Sequence, residues 1–214
     1  MAYHVKIIDN VDKIDTCELF QINHYQWSGS YRPKAYGRMG MIEKECIIIS
    51  LTAEEKDPLY RYRKNDDPVY RDSALEVFLN FSPEKEQVRY LNFEMNSFGA
   101  MLSAFGGNQN RKFLRQLTPL EASCEAQIEE DSWSILLRVP MKLICKLYDI
   151  EPLSRGDRFT CNFYKISEDP TIEHYASYAP VDNPVPNFHL TEYFGEAVIE
   201  ETAFGMGKPA VAKR

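Results

Sequence analysis

Residues 74–80 read Ala-Leu-Glu-Val-Phe-Leu-Asn, and residues 90–96 read Tyr-Leu-Asn-Phe-Glu-Met-Asn. Successive side chains of a β-strand point to opposite faces of its sheet, so each stretch predicts a strand with one apolar face that packs in a core. The second stretch separates into Leu91, Phe93 and Met95 on one face and Tyr90, Asn92, Glu94 and Asn96 on the other. That face carries more polar side chains than solubility requires.

Short runs of the same kind recur along the chain. They are rich in β-branched and aromatic residues and are separated by Pro, Gly, Asp and Asn, while amphipathic helical stretches are scarce. We therefore predict an all-β fold, a two-sheet antiparallel β-sandwich of about a dozen strands with one or two short helices. The predicted strands are 3–8, 18–22, 35–41, 45–52, 74–81, 88–96, 100–105, 121–129, 132–139, 158–166, 174–178 and 196–200, and the predicted helices are 111–116 and 141–147.

Length and composition favour one soluble domain. The chain has 214 residues, of which 44% are hydrophobic and 27% charged, values that suit a single large sandwich. We predict that this domain covers residues 1–204 and that the small, basic segment 205–214 is a flexible tail. A net charge of −7 opposes binding to nucleic acid, which requires clustered Lys and Arg.

Membrane insertion and export are not predicted either. No apolar run is long enough to span a bilayer, and Met1 opens directly into a strand-like pattern, so we expect a cytoplasmic protein. The five cysteines are isolated, without the short paired spacings of zinc sites, and we expect most of them to be buried thiols in a reducing compartment. Cys161, which alternates with Phe159 and Phe163, fits a packed strand face.

Motifs of hydrolytic enzymes are missing from the sequence. It contains no G-x-S-x-G turn for a serine nucleophile, and its four histidines lack the spacing of a catalytic metal site. Glu76 and Glu94 lie on neighbouring predicted strands and could form a glycosidase pair, but any chain this acidic offers many such pairs. We therefore predict that the protein is not an enzyme.

Three loop segments leave alternatives open. Asp66, Asp67 and Asp72 predict a solvated turn, although carboxylates on an irregular segment could hold a calcium ion; no other cofactor is expected. Segments 25–40 and 180–195 are rich in aromatic residues, Pro and Asn. Such loops either cover the open ends of a sandwich or wall a binding cleft.

Five blocks of sequence resemble the family 9 carbohydrate-binding modules in order and spacing. They are 70–80 (Tyr-Arg-Asp-Ser-Ala-Leu-Glu-Val-Phe-Leu-Asn), 90–99 (Tyr-Leu-Asn-Phe-Glu-Met-Asn-Ser-Phe-Gly), 133–140 (Trp-Ser-Ile-Leu-Leu-Arg-Val-Pro), 161–165 (Cys-Asn-Phe-Tyr-Lys) and the run from 177–180 (Ser-Tyr-Ala-Pro) to 186–195. The resemblance implies a β-sandwich related to DOMON-like domains. It also implies non-catalytic binding of a sugar, or of a sugar-chain end, between two aromatic rings.

The same resemblance implies a set of site residues. Tyr70 and Tyr178 occupy the positions of the two rings, where the family more often has Trp, and Glu76 matches an acidic residue that hydrogen-bonds sugar hydroxyls. Asn92, Glu94 and Asn96 supply further polar contacts, and the cationic partner is Arg71 or Lys165. Two alternative functions are a haem-binding DOMON-like redox module and a glycoside hydrolase that uses Glu76 with Glu94.

Overall fold

A computed structural model describes residues 2–200. The predicted tail at 205–214, and the boundary at 204, lie outside these residues. The strands are β1 Tyr3–Ile7, β2 Leu19–Ile22, β3 His24–Tyr25, β4 Lys34–Ile42, β5 Cys46–Glu54, β6 Ala74–Asn80, β7 Tyr90–Asn96, β8 Met101–Gly106, β9 Lys112–Phe113, β10 Ser123–Ile128, β11 Trp133–Pro140, β12 Arg158–Ser167, β13 His174–Ser177 and β14 Gly195–Ile199. The helix α1 spans Met141–Tyr148, and short 3-10 helices lie at Val11–Thr16, Val69–Arg71, Leu114–Gln116 and Thr191–Tyr193.

The strands form two sheets that share β1. The first sheet runs β10, β11, β5 and β4, and β2 also pairs with β4. The second sheet runs β14, β12, β6, β7, β8 and β9, with β13 pairing beside β12 and β3 beside β13. β1 pairs with β14 through its first three residues and with β4 through its last two. This arrangement confirms the predicted two-sheet sandwich.

All strand pairs are antiparallel except the two made by β1. That strand runs parallel to β14 and to β4, so it closes the sandwich along one side by crossing from one sheet to the other. Each of the twelve predicted strands has a counterpart in the structure. The two additional strands, β3 and β9, have two residues each and are too short for a periodic pattern to reveal.

One helix prediction is confirmed and the other is wrong. Residues 141–147 form α1, which ends at Asp149 in a left-handed conformation with φ of 54°. Residues 111–116 instead form β9 and a single 3-10 turn. A helical nucleus is unfavourable and a six-residue segment adds few bonds after it, so pairing to β8 prevails there.

The core lies between the two sheets and includes the predicted apolar faces of β6 and β7. Its largest fully buried side chain is that of Trp133, and all seven residues of β6 and all seven of β7 are buried. The outer face of the second sheet is therefore covered as well. A second apolar cluster covers it, formed by Ala74, Phe78, Tyr90, Tyr164, Ile166, Tyr175, Val181, Phe188 and Phe194.

The five cysteines are all free thiols. Only Cys17 and Cys161 are buried, so the expectation that most of the cysteines are buried is wrong. Burial raises the pKa of the Cys161 thiol to about 12. Within residues 2–200, no helix is long and apolar enough to cross a membrane.

Gly37 in β4 provides a test of the packing between the sheets. An added Cβ would collide with the side chain of Leu51 and would lie 2.7 Å from the carbonyl oxygen of Ser50. Gly37→Ala should therefore lower the free energy of unfolding by about 1–3 kcal/mol in urea denaturation, the usual cost of overpacking. Gly29→Ala is the matched control, because nothing lies within 4 Å of its added Cβ. Equal stability of the two variants would contradict this packing.

Candidate functional site

A cavity of about 570 Å³ opens on the outer face of the second sheet, and we call it the outer-face cavity. Strands β6, β7, β8, β12 and β13 form its floor, and the chain segments before β6, around β9 and after β13 form its walls. Its lining comprises Tyr70, Glu76, Asn92, Glu94, Leu102, Ala104, Arg111, Lys112, Phe113, Gln116, Ile166, Glu168, Tyr175, Pro186, Asn187, Phe188 and His189. The predicted residues Tyr70, Glu76, Asn92 and Glu94 are thus brought together.

Two carboxyl groups face each other on the floor of this cavity. Glu76 of β6 and Glu94 of β7 are directly opposite partners in the strand register, and Asn92 precedes Glu94 on the same face. The three residues are 3%, 5% and 1% exposed, respectively. The Asn92 amide donates to Glu94 Oε1 at 3.0 Å. Asn92 Oδ1 and Glu94 Oε2 are buried and have no hydrogen-bond partner among the described residues.

The environment of these carboxyl groups disfavours their charged forms. Burial, followed by the charge of Glu94, raises the pKa of Glu76 well above its ordinary value. Burial raises the pKa of Glu94 to about 7 even though the nearby charge of Arg111 lowers it. Near neutral pH the pair therefore retains protons and can both donate and accept hydrogen bonds, which is what sugar hydroxyls require.

Two tyrosine rings border the cavity. Tyr70 lies in the 3-10 turn before β6, and Tyr175 lies in β13. Tyr175 is held from behind, because Trp27 packs edge-on against it with ring centroids 6.0 Å apart and its hydroxyl donates to Glu173 at 3.0 Å. The indole of Trp27 donates in turn to the carbonyl of Asn183 at 2.7 Å. A fixed ring is a suitable stacking surface because little conformational entropy is lost on binding.

Arg111 supplies a positive charge that is held in place on the cavity wall. It donates hydrogen bonds to the Tyr90 hydroxyl and to His189 Nδ1, and those two acceptor atoms are 2.8 Å apart. Burial, together with the charge of Arg111, lowers the pKa of His189 to about 3, so the imidazole is neutral and can accept. This contact fixes the position of the guanidinium group.

Segment 186–189 forms a wall of the cavity. Phe188 stacks on the buried ring of Tyr164 with centroids 4.0 Å apart, and His189 stacks on Phe78 at 4.9 Å. These contacts attach the segment to the outer face of the second sheet. The aromatic segment 180–195 therefore walls a cleft, which decides between the alternatives left open by its composition.

Comparison with known proteins gives the family. The model of carbohydrate-binding family 9 matches residues 4–199. The chain belongs to carbohydrate-binding family 9. This assignment confirms the predicted class of carbohydrate-binding protein and the resemblance of the five sequence blocks.

Solved structures with the same fold accompany the family 9 match. One is a candidate carbohydrate-binding protein from Bacteroides uniformis, 22% identical, with a TM-score of 0.78 over 93% of this chain and 99% of that one. A family 9 module from Caldicellulosiruptor kristjanssonii, in complex with cellotriose, is 12% identical with a TM-score of 0.65 over 99% of this chain and 100% of that one. Its complex with glucose gives a TM-score of 0.64 at 12% identity over 97% and 100%. No curated protein matches the chain.

Tyr178 of this family 9 module does not face Tyr70. Its ring centroid lies 5.2 Å from that of Phe20 and 5.8 Å from that of Phe163, against the core between the sheets. Alternation explains the placement, because Tyr175 points outward and a residue three positions further points inward. The prediction that Tyr178 is the second platform is therefore wrong, and Tyr175 lines the cavity with Tyr70.

Lys165 also points to the inner face, contrary to its prediction as a ligand contact. It pairs in register with Leu75, whose side chain is in the core. Its amino group donates to Ser73, lies 2.8 Å from His174 Nε2 and pairs with Glu55 at 3.3 Å, and its side chain is 0% exposed. Lys165 is a structural residue of the module.

Asn96 continues the polar ladder of β7 but lies outside the cavity lining. Its amide donates to the carbonyl of Tyr62 at 2.8 Å and to Asp72 Oδ2 at 3.0 Å. Its Oδ1 accepts from the backbone N–H groups of Phe98 and Ala100 at 3.2 and 3.1 Å. With both ends of the amide engaged, Asn96 holds the turn after β7.

Arg71 lies beside the cavity and not within its lining. Its guanidinium carbon is 5.8 Å from the centroid of the Tyr70 ring, and its Nε is 4.0 Å from a carboxylate oxygen of Glu168. The cations of the cavity lining are Arg111 and Lys112. The sequence blocks do not include them, and the pattern of residues 111–116 favours a helix.

The acidic loop is held by local contacts. Asp72 pairs with Arg61 at 3.3 Å, Asp66 pairs with Arg115, and Asp67 accepts a hydrogen bond from its own turn. In the part of the chain that the structure describes, no three His, Cys, Asp or Glu side chains are grouped closely enough to hold a metal ion. The alternative in which this loop holds calcium stays untested.

Glu94→Gln tests the burial of the carboxyl pair. The folded-state pKa of Glu94 is raised from 4.5 to about 7. The free energy of unfolding therefore falls as pH rises through that window and Glu94 loses its proton in the folded state. The variant should therefore match the wild type near pH 5 and exceed its free energy of unfolding by on the order of 3 kcal/mol at pH 8.

Urea denaturation at both pH values measures this difference. The control is Glu130→Gln, an exposed position between β10 and β11, which should not alter the pH profile. A Glu94→Gln difference that is the same at pH 5 and pH 8 would show that the carboxyl group is not desolvated.

Proposed function

We propose that this module holds a sugar, or the end of a sugar chain, in the outer-face cavity between Tyr70 and Tyr175. The observation that carries the proposal is a pair of buried oxygens, Asn92 Oδ1 and Glu94 Oε2, which belong to residues of the cavity lining and have no partner among residues 2–200. A buried polar atom without a partner costs about 1–3 kcal/mol, so a ligand hydroxyl that donates to it is stabilising. The C–H faces of a sugar ring can pack on the two tyrosines at the same time.

The polar groups of the cavity suit a ligand with several hydroxyls. Glu76 and Glu94 approach it from the floor, and Arg111 approaches it from the cavity wall. A cavity of about 570 Å³ is of ordinary size for a small ligand. The similar family 9 structures in complex with cellotriose and glucose support a sugar as that ligand.

The module does not hydrolyse the sugar in this proposal. Glu76 and Glu94 project from opposed positions on one sheet face, so a ligand meets both carboxyl groups from the same side. Glycosidases place their two carboxyl groups on either side of the scissile bond. The pair is therefore arranged for binding.

Tyr175→Ala tests the aromatic platform. Loss of the ring should weaken binding of glucose or cellotriose by about tenfold or more in isothermal titration calorimetry, since stacking adds to the area buried. Tyr70→Ala should have a similar effect. Tyr178→Phe, which changes a ring packed on the core, is the control and should bind as the wild type does. Undiminished binding by Tyr175→Ala would contradict the proposed platform.

The absence of catalysis is tested separately. Incubation of the protein with cellotriose and a panel of other oligosaccharides should release no reducing sugar above the buffer blank. Release of reducing sugar that Glu76→Gln abolishes would establish the module as a hydrolase.

A further inference from the structure

The floor of the outer-face cavity is rich in carboxyl and amide oxygens, and the carboxyl groups become pure acceptors when Glu76 and Glu94 ionise. One N–H of the Asn92 amide is used on Glu94 Oε1, and no group of residues 2–200 donates to Asn92 Oδ1 or Glu94 Oε2. The carboxyl group of Glu76 lies opposite Glu94, and all three residues line the cavity. The rest of the floor is apolar, formed by Leu102, Ala104 and Ile166. A group made only of donors would satisfy these oxygens.

No ion pair within the described part of the chain neutralises these carboxyl groups when they ionise. Among residues 2–200, no Lys or Arg nitrogen lies within 4.0 Å of a carboxylate oxygen of Glu76 or Glu94. Arg111 is held by Tyr90 and His189 instead. Directly opposite like charges destabilise a strand pair, so a cation between the two buried carboxyl groups would favour the ionisation of both.

A third carboxylate adds to the charge of the same cavity. Glu168 lines it at the rim, and its backbone N–H donates to the carbonyl of Tyr70 at 3.1 Å, which places it beside the aromatic platform. A ligand carboxylate, as in a uronic acid, would meet repulsion from these groups. A ligand ammonium would be attracted by all three.

We propose that the preferred ligand is an amino sugar with a free, protonated amine, which binds between Glu76 and Glu94 and also donates to Asn92 Oδ1. This rests on the proposed function, because the sugar ring still lies between Tyr70 and Tyr175. The ammonium has three donors for the unpartnered oxygens, and its charge allows both carboxyl groups to ionise. The raised pKa of Glu94 in the free protein agrees with a site that lacks its positive partner.

The test compares three sugars that differ at one substituent. Glucosamine should bind about tenfold or more tightly than glucose in isothermal titration calorimetry at a pH where its amine is protonated, because charge-assisted hydrogen bonds are stronger than neutral ones. N-acetylglucosamine, in which the amine is capped and uncharged, should lose that advantage. Glucuronic acid should bind more weakly than glucose.

Variants assign the preference to the carboxyl pair. Glu94→Gln and Glu76→Gln should each reduce the ratio of glucosamine to glucose affinity to below about threefold, whereas Glu130→Gln should leave it unchanged. Both buried variants retain the shape of the site and remove a charge that burial disfavours. Thermal unfolding followed by circular dichroism confirms that they are folded.

Other outcomes overturn the inference in distinguishable ways. Equal affinity for glucose and glucosamine refutes the amino sugar and leaves the proposed function standing. If no sugar binds, cellotriose included, both fail. If calcium chloride alone stabilises the chelator-treated protein, Glu94→Gln removes that effect and glucosamine shows no preference, then the floor holds a metal ion and the amino sugar is refuted.

Discussion

Two carboxyl groups placed opposite each other on hydrogen-bonded strands constrain the whole outer face of this module. Glu76 and Glu94 are almost completely buried, yet they cannot be covered by apolar side chains without a cost of several kcal/mol for each charge. The covering segments therefore stop short of them. Apolar contacts close the sheet around Phe78 and Phe188, and the outer-face cavity remains above the carboxyl groups.

A carboxylate with a structural role lies on the inner side of the second sheet, where Glu55 pairs with Lys165. Glu55 is as deeply buried as Glu94, and burial alone would raise its pKa. The charge of Lys165 and hydrogen bonds from Ser73, Trp133 and Tyr31 instead lower that pKa to about 2. Glu55 is fully partnered by the protein, whereas Glu94 keeps one oxygen free. This difference in hydrogen bonding distinguishes Glu55, which supports the fold, from Glu94, which we propose as a ligand contact.

Strand periodicity accounts for most of what the sequence could predict. Alternation located the twelve longer strands and the polar ladder of β7, because each step of the chain reverses the side-chain direction. It could not reveal that the outer face is buried, since loops far away in sequence, such as 186–189, supply that cover. The family resemblance named Tyr70 and Glu76, which line the outer-face cavity, and Tyr178, which does not. A shift of three positions reverses the face, and the register of β13 against β12 puts Tyr175 on the cavity side.

Position along a strand decides the role of a residue as much as its face does. Asn92 and Asn96 share one face of β7, yet Asn96 at the strand end is used entirely by the adjoining turn and by the segment before β6, whereas Asn92 keeps a free oxygen. Arg111 and Tyr175 are likewise fixed, one by neutral His189 and the other by Trp27. Because both walls are already ordered, a ligand that enters the cavity needs to immobilise little of the protein. The remaining unsatisfied groups on the floor then determine which ligand is preferred.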